Sequence, residues 1–389
     1  MIDEKNQMKI VYCVNSIRFT GGIQRVTVVK ANALAEVAGN EVYIVVTDNK
    51  AGSLVHEVSP KVHVIDLDIN YHEGDRDRSF IANNFVHHSK RLAHRKVLKR
   101  FLVELRPDVV ISVGTAEKFM LASMKKRSWK IIREFHCERY YRVKYAQSRI
   151  NKILGAISNF YEFNFVDKKY DRIVVLTQED QETNWKGWKN IAVIPNPVSF
   201  KCSEPSTLNE KTVSSIGRLH HVKNFSALIR IFGQVVKKHP DWDLKIYGNG
   251  EEEGTLQKQI EQSGLHDKVT LMGFTNNIPQ VLSRSSVFAF TSLVEGFALV
   301  LVEAMECGLP VVSYQCPCGP KDIITEGKNG FLVPVNDVQL MVDRINQLIE
   351  DKEMRTKMSE AAKLRAQCFQ VEAIVDRWMS LFNEVVHQN

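Results

Sequence analysis

The feature that most constrains this chain is an alternation. Short β-branched runs bounded by turn residues, "KIVYCV", "EVYIVVTD", "VHVIDL", "DVVISVG", "WKIIREF", "DRIVVLT" and "IAVIPNPV", alternate with longer helical patterns. The alternation then restarts with "TVSSIGRL", "DLKIYGNG", "KVTLMGF", "SVFAFTS", "PVVSY" and "GFLVPV". Such runs require parallel sheets with helices on both faces, and the restart implies two of them. With 389 residues, 44% hydrophobic and 25% charged, the chain exceeds one typical domain and can bury two ordinary cores. The stretch from Ile194 to Lys211 is polar, proline-containing and unpatterned, as a linker should be. The expected domains are residues 1–198 and 199–370, with a closing helical stretch, 371–389, that could lie on either domain, packing back on the first as one of the two arrangements.

The net charge of +7 is uneven: residues 1–200 carry a balance of +10 and the remainder −3. The cations gather in "HHSKRLAHRKVLKRFLVEL", His87 to Leu105, and in the stretch from Lys125 to Arg149. Leu92, Leu98, Phe101, Leu102 and Leu105 fall on or near one side of the first, which reads as a basic amphipathic helix for an anionic membrane surface. Nucleic-acid binding has no supporting motif. No apolar run is long enough to span a bilayer, and acidic residues stand at the start where a signal peptide would be basic. A cytoplasmic protein, peripheral on the inner membrane face, is expected. Seven scattered cysteines read as reduced thiols.

Ligands of open parallel sheets bind beyond the carboxyl ends of the strands, and two such domains with those ends facing would make a cleft. The residues after the strands are therefore the candidates. Gly21 and Gly22 open a helix after the first strand, where amides and the helix dipole favour an anion. Ile23, Gln24 and Arg25 break the three-glycine dinucleotide pattern and count against a nicotinamide enzyme. In the second half Gly217, Arg218 and Lys223 leave one strand, an arginine fork and a flexible ammonium able to clamp a diphosphate. "EGFALVLVEAMECGLPVV" then sets Glu295 at a loop, Gly296 where the backbone can approach closely, and Glu303 inside the following helix. Carboxylates there can accept from vicinal hydroxyls of sugars. His136 follows a strand of the first domain.

Together, Gly21-Gly22, "GRL" with Lys223, and "EGFALVLVEAMECGLPVVSYQCPCGPKDIITEGKNGFLVP" resemble the retaining glycosyltransferases of family 4, over about residues 8–335. The resemblance implies the GT-B fold: two Rossmann-like, doubly wound parallel-sheet α/β domains facing across a cleft. It gives Arg218 and Lys223 to the donor diphosphate, Glu303 to the nucleotide ribose, Glu295 to the donor sugar and His136 to the transferred sugar. Backbone amides around Phe297, Ala298 and Leu299 would contact sugar and phosphate, and Gly22 the diphosphate. The "CPCGPKDII" segment most resembles bacterial members that extend surface or lipid-linked glycans. The implied reaction takes a hexosyl unit from a nucleoside diphosphate sugar, UDP before GDP-mannose, to a hydroxyl of a glycan or lipid-linked acceptor. No cofactor and no metal are implied, and the "DLD", "DRD" and "DWD" spacings are incidental. A sugar-nucleotide epimerase or a phosphorylase on the same fold is the alternative.

Overall fold

The computed structural model describes residues 7–18, 21–48, 56–71, 73, 80–114, 116–125, 127–144 and 148–387; the "DRD" triplet lies outside them. The chain forms two compact units: residues 1–175, 184–199 and 371–389, and residues 176–183 with 200–370.

In the first unit seven strands run parallel: β1 (Lys9–Val14), β2 (Glu41–Val46), β3 (Val62–Asp66), β4 (Val109–Ser112), β5 (Lys130–Glu134), β6 (Arg172–Val175) and β7 (Ile191–Val193). Their spatial order is β3-β2-β1-β4-β5-β6-β7. Strand β1 explains why the sheet is wound on both faces. Ile10, Tyr12 and Val14 point to one core with the helix Gly22–Glu36, while Val11 and Cys13 point to another. The first core is closed by the helix Val371–His387, whose Ile374, Trp378 and Phe382 are buried beside Val28 and Leu34. The second is closed by Leu98 and Leu102 of the helix Phe80–Leu105, together with Phe163 and Trp185.

That second contact corrects one expectation. Leu98 and Leu102 are wholly buried, Phe101 and Leu105 pack against the same core, and only Leu92 of the five is exposed. The apolar side of this helix faces its own sheet, so it is not free for a membrane. Among the described residues no helix is long and apolar enough to cross one.

The second unit repeats the design with β8 (Thr212–Ile216), β9 (Asp243–Tyr247), β10 (Val269–Gly273), β11 (Val287–Phe290), β12 (Val311–Tyr314) and β13 (Gly330–Val333), ordered β10-β9-β8-β11-β12-β13 and all parallel. The helix Phe225–Lys238 buries Phe225, Leu228, Ile229, Phe232 and Val235, the spacing of a single helical face, against Val213, Leu244 and Ile246. All thirteen runs picked out in the sequence are strands.

One stretch departs from the expected domain limits. Residues 176–183 belong to the second unit, where the Gln178 amide donates to Asp322 Oδ1 at 2.6 Å and the Cys318 amide to Glu179 Oε2 at 2.9 Å. Each sheet reverses its winding once, between β1 and β4 and between β8 and β11. Strand ends on either side of such a reversal diverge, leaving the crevice where ligands of open sheets bind.

Trp378 is 1% exposed in the helix that closes the first unit. Trp378→Ala should lower unfolding stability by about 3–5 kcal/mol, read from the denaturant midpoint of the first unit. An unchanged midpoint would show that this helix is not part of that core.

Candidate functional site

At the reversal of the second sheet, three loops are held together by their backbones. The Gly217 amide donates to Tyr247 O at 3.0 Å, and Gly248, at φ 142°, lies so near that a Cβ there would sit 1.9 Å from Gly217 O. Only glycine fits. A short helical turn, His221–Lys223, ends on left-handed Asn224 and brings Lys223 round to the loop after β11. The Thr291 hydroxyl donates to Lys223 O and Asn224 O at 3.2 and 3.1 Å, and the Leu293 amide to Val222 O at 2.8 Å. These bonds tie together the strand ends that flank the reversal.

The result is an ion pair: Lys223 Nζ lies 2.6 Å from Glu295 Oε1, with the side chains 26% and 12% exposed. The sequence reading named both residues but gave them separate tasks, and did not foresee that they meet. Arg218 is exposed on the loop that leads from β8 to Lys223, and Gly296 is half-buried after Glu295. Burial pushes the neighbouring Cys316 thiol well above its ordinary range, and the Glu295 charge adds to the push.

The helix Leu299–Glu306 begins on Ala298, a non-glycine residue in the left-handed region at φ 64°. That conformation costs about 1–2 kcal/mol. Gly319 permits it, since a Cβ at that position would approach Phe297 O to 2.4 Å. The Phe297 ring is buried against Phe369, centroids 5.6 Å apart, so only its backbone is available to a ligand. The amides of Leu299 and Val300, which open the helix, have no intrahelical acceptor, whereas the Leu301 amide donates to Ala298 O at 2.9 Å. Glu303 is 1% exposed, well inside the unit.

In the first unit Gly21 is extended and Gly22 starts the helix Gly22–Glu36, with no side-chain cap and no acidic residue in its first turn. Among the described residues nothing lies within 4 Å of a Cβ built at Gly22, whereas one at Gly21 would sit 2.0 Å from Gln24 Oε1. His136 follows β5, its Nε2 3.3 Å from Glu134 Oε1. Glu134 also holds Lys30 of the Gly22 helix, and both are 1% exposed. Lys30 Nζ lies 4.8 Å from the Trp378 ring centroid and 5.6 Å from that of Tyr12. Burial would raise the Glu134 carboxyl, but Lys30 first and His136 next outweigh it and hold it at about 2. Burial draws the Lys30 ammonium down. Sequence reasoning missed this cluster, because a lysine on a helix and a glutamate on a strand carry no sign of their meeting. It also missed Glu117, buried near the β1–β4 reversal, where it accepts from the Ser112 hydroxyl at 2.9 Å. Burial raises that carboxyl.

Among the described residues one group could hold a metal ion: His220, His221 and Glu251, with ligand atoms within 4.8 Å of one another. His220 already accepts from the Val222 amide at 3.2 Å and faces Glu251 at 3.3 Å.

Comparison with known proteins decides the family. Residues 20–201 match the model described as "Glycosyltransferase Family 4", and residues 200–365 the model "Glycosyl transferases group 1". The chain belongs to glycosyltransferase family 4. This glycosyltransferase is 29% identical, over 96% of its length and 99% of the relative's, to an uncharacterized glycosyltransferase of Haemophilus influenzae. It is 27% identical, over 97% of its length and 99% of the relative's, to a Campylobacter jejuni alpha-1,4-N-acetyl-D-galactosaminyltransferase named for GalNAc-alpha-(1->4)-GalNAc-alpha-(1->3)-diNAcBac-PP-undecaprenol. Its fold is GT-B, similar to a variant of TarM from S. aureus in complex with Fondaparinux, alpha-GlcNAc-glycerol and UDP. The TM-score is 0.77 at 17% identity, covering 97% of this chain and 100% of TarM. The two matched regions contain every candidate residue: Gly21, Gly22 and His136 in the first, and Gly217, Arg218, Lys223 and Glu295 through Glu303 in the second.

In this glycosyltransferase the buried Lys30–Glu134 pair has a signed consequence. A carboxylate lowered to about 2 in the fold contributes stability that is complete above its unfolded pKa near 4.5 and lost as pH falls toward 2. Glu134→Gln should cost about 3–5 kcal/mol by stranding the Lys30 charge, whereas the double change Lys30→Met, Glu134→Leu should cost much less. Denaturant unfolding at neutral pH measures both, and equal losses would refute the pairing.

Proposed function

We propose that this glycosyltransferase moves a hexosyl unit from a nucleoside diphosphate sugar to a hydroxyl of a glycan or lipid-linked acceptor, with retained anomeric configuration. The observation that carries the reading is the Lys223–Glu295 pair, 2.6 Å apart, with Lys223 against Gly217 on the loop that leaves β8. A cation and a carboxylate held side by side suit a ligand with a diphosphate next to a hydroxylated ring. The ammonium turns to phosphate oxygens, and the released carboxylate accepts from sugar hydroxyls.

The remaining roles rest on the family resemblance. Arg218 adds a planar fork to the diphosphate, Glu303 takes the ribose, and the amides of Phe297, Ala298 and Leu299 meet sugar and phosphate, with Gly296 allowing the approach. Gly21 and Gly22 supply a second helix start for the diphosphate, and His136 is assigned to the transferred sugar.

As the bond from the anomeric carbon to the diphosphate oxygen breaks, negative charge builds on the leaving phosphate. Arg218, Lys223 and helix N-termini offset it in place of a divalent ion. The leaving oxygen then takes the acceptor proton as the acceptor attacks the same face. UDP in the TarM complex favours a UDP-sugar over GDP-mannose, and the lipid diphosphate in the Campylobacter enzyme's name favours a lipid-linked or polysaccharide acceptor. Both relatives are named as transferases, and nothing favours the epimerase or phosphorylase alternative.

UDP at a hundredfold excess over its dissociation constant should add about 2.7 kcal/mol of stability, seen as a raised melting temperature. Lys223→Ala and Arg218→Ala should each abolish most of that rise, measured against the unliganded melting temperature of the same variant. A rise with GDP and none with UDP would overturn the donor assignment. Release of UDP from its sugar should require acceptor and persist with excess EDTA, and loss of turnover on chelation would overturn the metal-free scheme.

A further inference from the structure

The helix Arg149–Tyr161 is turned inside out. Its large apolar side chains, Ile150, Ile153, Leu154, Ile157, Phe160 and Tyr161, are between 55% and 70% exposed, while the residues it buries are Gly155 and Asn159. At about 100° per residue the six fall within an arc of about 120°. An amphipathic helix on a soluble domain ordinarily presents such an arc to the core. This one is held the other way by its C-terminal anchor. Glu162, 3% exposed, is clamped by Arg133 at 2.9 Å and Lys118 at 2.7 Å.

The apolar surface continues past the helix. The Tyr161 ring lies 5.6 Å from Phe165 and 6.3 Å from Phe119, and all three are exposed. Its charge has one sign. Arg149–Tyr161 contains no Asp or Glu, and Arg149 at its start and Lys168 and Lys169 beyond its end are exposed. Phe119 and Ser158 also line a cavity of about 660 Å³ whose walls include His87, His88, Arg91 and Arg95.

We propose that this face docks on an anionic phospholipid bilayer, the apolar ridge entering the acyl boundary and the flanking cations lying over lipid phosphates. Charge and size choose the occupant. A ridge one helix wide is far below the roughly 20–30 residues a side of a stable protein interface, whereas an interfacial helix needs only one apolar stripe and a cationic border. A strip bordered at both ends by cations is self-repelling against a second copy and complementary to anionic lipid. The docking does not depend on the donor reading above, and its test reads lipid binding, not turnover.

Flotation of the full chain with phosphatidylglycerol-containing vesicles tests it. The wild-type protein should float with these vesicles and remain below pure phosphatidylcholine vesicles. The triple change Ile153→Ser, Leu154→Ser, Ile157→Ser should reduce the floated fraction about tenfold or more at an unaltered melting temperature, because all three side chains are exposed. Should the triple variant melt early, Ile157→Asp alone supplies the same comparison. Wild-type protein that stays below anionic vesicles, or a folded variant that floats as well as the wild type, overturns the proposal. So does a concentration-dependent dimer in sedimentation that the triple variant abolishes without any flotation, which would make a second copy the occupant.

Discussion

A parallel strand buried on both faces has almost nowhere to present a polar group except beyond its ends. Every candidate position of this protein follows from that constraint. Ile10, Tyr12 and Val14 fill one core and Val11 and Cys13 the other, so β1 offers chemistry only after Val14, in the stretch that leads to Gly21 and Gly22. Strand β8 likewise buries its first four residues, the hydroxyls of Thr212, Ser214 and Ser215 included, and exposure begins at its end, with Gly217 half-buried and Arg218 exposed. The reversal of strand order selects which of these ends matter. At β8 and β11 the loops are tied by the bonds of Thr291 and Leu293 to Val222, Lys223 and Asn224, and the loops after β8 and β9 approach so closely that Gly248 cannot carry a Cβ.

Two lysine–glutamate pairs, Lys30–Glu134 and Lys223–Glu295, differ in burial, and burial decides which of them a ligand could part. Lys30 and Glu134 are each 1% exposed, so removing either charge's partner leaves the other in a medium that solvates it poorly. No ligand can reach between them at reasonable cost. Lys223 and Glu295, at 26% and 12%, keep contact with water. At the effective dielectric of such a site their attraction is a few kcal/mol, about 4 at 4 Å and ε near 20, before desolvation and side-chain entropy are subtracted. A doubly charged diphosphate can outcompete a single carboxylate for Lys223. The same exchange leaves Glu295 with unsatisfied acceptors, which the hydroxyls of a sugar on that diphosphate can fill.

Much of this was legible in the sequence, and the failures share a cause. The thirteen strands were readable because β-branched runs between turn residues have few other uses, and Lys223, Glu295 and the Gly-Gly turn stood out as strand-end chemistry. Pairing across sequence was not readable. Nothing local to Lys30 points to Glu134, more than a hundred residues away, and Lys223 and Glu295 were named without their contact. Allegiance was equally hidden for residues 176–183, which join the second unit through Asp322 and Cys318.

Periodicity specifies that a helix has an apolar side but not where that side points. Leu98 and Leu102 share a stripe that looked suitable for a membrane, yet they complete the core on β4. Ile150, Ile153, Leu154 and Ile157 share an equally ordinary stripe, and it faces outward. What separates the two is the opposite face. Around Leu98 and Leu102 it carries Lys96, Lys99 and Arg100, which cannot be buried without partners, so the apolar side turns in. On the helix Arg149–Tyr161 the buried positions of the opposite face are Gly155 and Asn159, small or neutral residues that pack against the unit without cost from charge, and Lys152 beside them stays exposed. Either side of that helix could have been buried. The ion pairs of Glu162 with Arg133 and Lys118 fix the choice and leave the greasy side exposed.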